Sequence, residues 1–130
     1  MAISDKDLAG DSTIGAYVDV PLWAGDAEVI TDDGYVVASG QGVVPKYSVV
    51  ALLGGKLVKH APAAVDGSQT AVGILTQAVN ATVADAKVAI YVSGFFNEAA
   101  LVWAAATNTL ALRRAAFLGK TIRIGDVGLQ

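Results

Sequence analysis

The chain has no cysteine, a single histidine and only three prolines in 130 residues. Without cysteine there is no disulfide, no thiolate nucleophile and no thiolate metal ligand. One histidine cannot supply a zinc centre built from several His or Cys ligands. Charge is scarce as well: Asp, Glu, Lys and Arg make up 16% of the chain, against roughly 25% in ordinary globular proteins. Long apolar runs are missing too. The longest is AALVWAAA (99–106), far short of the ~20 residues a bilayer requires, so no transmembrane helix is expected. The opening MAISDKDLAGDST is acidic and lacks both a basic n-region and an apolar h-region, so no signal peptide is expected.

What remains is an apolar chain of single-domain length, 54% hydrophobic, able to bury about two-thirds of its unfolded surface. So few charges cannot coat a lone surface, and an exposed apolar patch of the kind that marks a protein–protein interface is expected. The charges are also unevenly placed. Up to Asp33 there are eight acids and one base, Lys6, while the remainder holds four acids and eight bases. An acidic segment ahead of a mildly basic body suits docking to a basic surface. No basic stripe interleaved with aromatics is present, which argues against nucleic acid as a partner.

Residues 1–20 are polar, contain glycine and keep no sustained period; they read as a flexible N-terminal arm, followed by a β-rich domain over 21–130. Within the arm TIGAYVDV (13–20) alternates weakly and suits strand addition to a partner's sheet edge. AEVI (27–30), a DDG turn (32–34) and YVVAS (35–39) predict a hairpin. Ser39-Gly40-Gln41-Gly42 is a break. YSVVAL (47–52), Gly54-Gly55 and KLVKH (56–60) predict a second hairpin, with His60 solvated or at an edge. Asp66-Gly67 predicts a turn in which the aspartate bonds nearby amides. A strand with two apolar faces follows over 71–79, where Gly73 marks a bulge or a close backbone approach. In the strand over 87–96, Val88, Ile90, Val92 and Phe96 fall on one face. Lys87, Ala89, Tyr91, Ser93 and Phe95 fall on the other. Asn97-Glu98-Ala99-Ala100 starts a helical turn. Thr107 or Asn108 caps a helix over 109–118 that Gly119 ends; apolar nearly all round, that helix is expected to be buried or to sit between subunits. TIRI (121–124) is a last strand. The expected fold class is mainly β with one or two short helices (α+β), in one compact domain.

No constellation for chemistry emerges. No GxSxG frames any serine. Gly40-Gln41-Gly42 lacks the third glycine of a dinucleotide fingerprint, because position 45 is Pro45, and Gly54-Gly55-Lys56 lacks the rest of a P-loop. Asp32 and Asp33 fall short of the six to eight oxygens that calcium prefers. Catalytic residues, cofactors and metals are therefore not expected.

Taken together, DGSQTAVGIL (66–75), VAIYVSGFF (88–96), LVW (101–103) and RRAAFLGKTIRI (113–124) resemble the lambda-type bacteriophage head decoration proteins. WAGDAEV (23–29) and VASGQ (37–41) fit the same broader pattern, while Ala104 stands where the family often has proline. The resemblance implies a β-rich subunit that forms homotrimers at local threefold positions on the exterior of the expanded capsid. There it holds neighbouring copies of the major capsid protein together, after synthesis in the host cytoplasm. It also implies an arm that orders against the coat. On that reading Asp11, Ser12, Thr13, Ile14, Tyr17 and Val18 belong to the capsid-binding arm. Trp103, Arg113, Arg114 and Phe117 belong to the trimer interface or its immediate support. The alternatives are a glycan- or receptor-binding module on a virion or cell surface, and a small trimeric β-enzyme such as a nucleotide hydrolase.

Overall fold

A computed structural model describes residues 21–126. The strands are β1 (Ile30–Val37), β2 (Gly42–Val44), β3 (Val49–Leu53), β4 (Lys56–Lys59), β5 (Ala71–Leu75), β6 (Val79–Ala81), β7 (Ala86–Asn97) and β8 (Ile122–Gly125). A single 3-10 turn, Glu98–Ala100, and one α-helix, α1 (Leu110–Ala116), lie between β7 and β8. The main sheet runs β1-β4-β3-β5-β7-β8, and β1 also pairs with β7. That extra pairing closes five strands into a small barrel, while β8 lies parallel to the far end of β7, with Gly94 opposite Ile122 and Asn97 opposite Gly125. Strands β2 and β6 form a separate antiparallel pair.

The wall β3-β5-β7 separates two cores. Side chains alternate across a strand, so neighbouring residues part company: Val50, Leu75 and Ile90 pack with Val37, Leu57 and Val88 in one cluster. Val49, Ile74 and Tyr91 pack with Phe96, Leu101, Phe117, Ile122 and Ile124 in the other. The two-faced apolar reading of the strand that starts at Ala71 is therefore correct at β5. Its Gly73 is a close approach, because a Cβ there would sit 2.9 Å from the Tyr91 carbonyl oxygen. The strand does not continue to Val79, however; it stops at Leu75 and a new one, β6, begins at Val79.

Other expectations need correction. The DDG segment is not a hairpin turn. β1 runs straight through it, and the register jumps from Asp32 opposite Ile90 to Tyr35 opposite Val88, so one extra residue is absorbed as a bulge. Of AEVI only Ile30 is in a strand. Phe96 does not share a face with Val88 and Ile90. Gly94 adopts φ +149°, which breaks the alternation and turns Phe96 toward Tyr91, the two ring centroids being 5.4 Å apart. His60 is buried, not solvated. The connection after β4 folds over it, held by Ala61 N–H donating to the Ser68 carbonyl, and its Nε2 lies 2.9 Å from the Gln69 carbonyl oxygen. The second hairpin is as expected, with Gly54 at φ +61° and Gly55 at φ +83°, the pair of positive φ values a two-residue turn of this kind needs. The Asp66-Gly67 turn also forms as read, Asp66 Oδ1 accepting from the Ser68 amide at 3.0 Å and from its hydroxyl at 2.7 Å.

Candidate assembly surface

The segment between β7 and β8 carries the four body residues singled out in the sequence. Asn97, fully buried at the end of β7, starts it: its side-chain oxygen accepts from Ala99 N–H at 3.2 Å and caps the 3-10 turn. Its amide nitrogen donates to the Pro21 carbonyl at 2.8 Å, and its backbone N–H donates to the Leu22 carbonyl at 2.8 Å. One asparagine thus holds both the 3-10 turn and the Pro21–Leu22 backbone.

Three of the four residues then come together. Trp103 Nε1 donates to the Glu98 carbonyl at 3.0 Å, and its ring meets Phe117 edge-on with centroids 6.1 Å apart. The Arg113 guanidinium lies 5.3 Å from the Trp103 ring centroid, in cation–π range. It also reaches Glu98 Oε1 at 2.8 Å through Nη1 and the Thr107 carbonyl at 2.9 Å through Nε. Arg113 and Trp103 therefore tie the 3-10 turn, the connection after it and α1 into one unit. Arg114 points elsewhere, its Nε donating to the Ile124 carbonyl at 3.1 Å, so it ties α1 to β8. Phe117 is buried, Trp103 and Arg113 are half-buried and Arg114 is exposed. Asp11, Ser12, Thr13, Ile14, Tyr17 and Val18 lie outside the described residues.

The cap of α1 is Thr109, whose hydroxyl accepts from Leu112 N–H at 3.2 Å, not Thr107 or Asn108. Thr107 is buried and gives its carbonyl to Arg113. The helix itself is not buried within the subunit: Ala111, Leu112 and Ala115 are exposed, and Leu118 just beyond it is 83% exposed. Beside this face a cleft of about 640 Å³ runs along β8, lined by Phe95, Phe117 and Leu118 and by three cations, Arg114, Lys120 and Arg123. A second cleft, of about 390 Å³, opens between Val43, Val102 and Trp103, and Val43 and Val102 are both exposed.

Sequence reasoning missed Glu98 as the partner of Arg113, because the two are 15 positions apart and only the fold joins them. It also missed the packing of Trp23 against Phe96, tilted with centroids 5.0 Å apart, and against Tyr91, edge-on with centroids 5.6 Å apart. Burial pushes the Tyr91 phenol above its ordinary range, helped by repulsion from Tyr47. Among the described residues no three His, Cys, Asp or Glu side chains gather as a metal site.

No curated protein matches the chain. The family described as bacteriophage lambda head decoration protein D matches residues 13–123, which takes in the barrel, the segment between β7 and β8 and the first half of β8. The chain belongs to the bacteriophage lambda head decoration protein family.

Proposed function

We propose that this capsid decoration protein binds the outer surface of the expanded phage head as homotrimers at local threefold sites, and that it stabilises the shell there. Residues 1–20 act as the capsid-docking arm, with Asp11, Ser12, Thr13, Ile14, Tyr17 and Val18 contributing an added strand to an edge of the major capsid protein. Residues 21–130 act as the body. The observation that carries this reading, beside the family, is the bare apolar face of α1 and the residue just past it: Ala111, Leu112, Ala115 and Leu118 have no cover among the described residues. A second copy supplies that cover, and Trp103, Arg113, Arg114 and Phe117 hold the segment in shape beneath it.

Stabilisation follows from linkage. A protein that binds the assembled shell and not its dissociated subunits shifts the equilibrium toward the shell. Repetition over a closed lattice multiplies a modest affinity per trimer. The test pairs light scattering with binding to expanded heads, for the full chain and for a version beginning at Pro21. Trimers from both, with head binding lost only in the shortened form, is the expected result. Monomers from both, with no binding to heads, sink the proposal.

A further inference from the structure

The sequence holds two Asp-Gly pairs, Asp33-Gly34 and Asp66-Gly67, and the fold treats them in opposite ways. Asp66 is tied down. Its Oδ1 accepts from the Ser68 amide and hydroxyl, and the Gly67 amide that follows it donates to Gln69 Oε1 at 2.8 Å. Asp33 and Gly34 are both exposed and sit at the β1 bulge, between the paired residues Asp32 and Tyr35. Among the described residues nothing bonds the Asp33 carboxyl. The Gly34 amide is held by the neighbouring acid, donating to Asp32 Oδ1 at 3.2 Å. Glycine leaves this amide without a side chain to shield it.

We propose that Asp33-Gly34 is a site of spontaneous isoaspartate formation, a chemical ageing site built into the β1 bulge, and that Asp66-Gly67 is protected. The Asp32 carboxylate is placed to take the Gly34 amide proton as that nitrogen attacks the Asp33 side-chain carbon. The N–C bond forms, the carboxyl C–O bond breaks, and one water leaves, closing a five-membered succinimide. Water then adds back. Opening at the side-chain carbonyl restores aspartate. Opening at the backbone carbonyl leaves isoaspartate, with the chain now routed through the former side-chain methylene. No mass is gained or lost, and water is the only co-reactant. The bulge is already out of the ladder, so the reacting atoms can approach without breaking the flanking pairs. At Asp66 the same ring closure first has to release the two hydrogen bonds on the carboxylate, and this slows it by about tenfold or more. The inference is independent of the capsid reading.

Full-length protein is aged at neutral pH in heavy-oxygen water and mapped by peptide mass spectrometry, with isoaspartate assigned by electron-transfer fragmentation. The expected result is heavy oxygen and isoaspartate accumulating in the peptide that contains Asp33, at least about tenfold faster than in the one that contains Asp66. Gly34→Ala is a clean control, because a Cβ at Gly34 meets nothing closer than Asp32 Oδ1 at 3.6 Å. It is expected to suppress the reaction, as is Asp33→Glu, which keeps the charge and denies the five-membered ring. A urea-unfolded sample is expected to react comparably at both pairs. Equal rates at the two pairs in the folded protein, or reaction at Asp33 only after unfolding, would overturn the proposal.

Discussion

The carbonyl oxygen of Tyr91 stands 2.9 Å from the place a Cβ on Gly73 would occupy, and Ile90 Cδ1 stands 2.7 Å from the same place. Strand β5 can lie against β7 at this register, Ile74 opposite Tyr91, only because residue 73 has no side chain. Gly73→Ala is therefore expected to lower folding stability by about 1–3 kcal/mol, the usual cost of overpacking a closed core. Urea denaturation midpoints measure it. Gly34→Ala, whose added Cβ would meet only Asp32 Oδ1 at an ordinary 3.6 Å, is expected to shift stability by no more than about 0.5 kcal/mol. Equal effects at the two positions would refute the close-approach account.

The Arg113–Glu98 pair is mostly sheltered, with side chains 23% and 15% exposed. A double-mutant cycle with Arg113→Met and Glu98→Gln is expected to return a coupling of about 1 kcal/mol, above that of a typical exposed pair. Arg113→Met is expected to cost more than Glu98→Gln, because it also strips the Thr107 carbonyl and the Trp103 ring of their partner. A coupling indistinguishable from zero would mean the ion pair holds nothing together.

Leu118→Glu places a charge on a residue that is 83% exposed, so subunit stability is expected to change by less than about 0.5 kcal/mol. Self-association, read by light scattering against concentration, is expected to fall sharply for this variant and for Leu112→Glu. Unchanged association in both would remove α1 from the subunit interface.

The Ser68 hydroxyl, and then its amide, hold the Asp66 carboxyl below its ordinary range. A hydrogen bond and charge from Lys56, 2.7 Å away, together with the Ser39 amide, do the same for Asp85. Carboxyls lowered in the folded state stabilise it above the unfolded value of about 3.9, and that contribution is lost as pH falls through the lower folded value. Ser68→Ala is expected to raise the Asp66 pKa toward the unperturbed value in a carbon-detected NMR titration. Asp66→Asn is expected to flatten the acid limb of the stability curve. An Asp66 titration untouched by Ser68→Ala would show that the turn bonds are not its cause.

Much of the architecture was legible because it rests on local signals. Gly54-Gly55 dictates its hairpin, Asp66 its turn, and the apolar run from Ala71 announces a strand with cores on both sides. Features that depend on pairing were not legible. Asp32-Asp33-Gly34 carries every mark of a turn, yet β1 passes straight through because β7 is long enough to pair on both sides of the bulge. Phe96 follows the period of Val88 and Ile90 in the sequence, and one glycine conformation reverses it. His60 reads as polar and terminal until the 61–70 connection covers it. Of the residue types singled out in the sequence, Trp103, Arg113 and Phe117 meet one another, and Arg114 turns to β8. The exposure of α1 was half legible, since an all-round apolar helix fits either a core or an interface, and only the packing of β8 decides that it faces outward. The three-residue strands β2 and β6 are too short to leave a period.

The anchorage of Pro21 and Leu22 on Asn97 also defines a load path. Tension that reaches Pro21 is met by the two hydrogen bonds on Asn97 and by the one from Ala24 N–H to the Phe95 carbonyl. These lie along β7, the strand that both cores share. A pull at Pro21 is thereby spread over the barrel and the β8 layer at once, and the subunit takes up strain as one body instead of peeling from its edge.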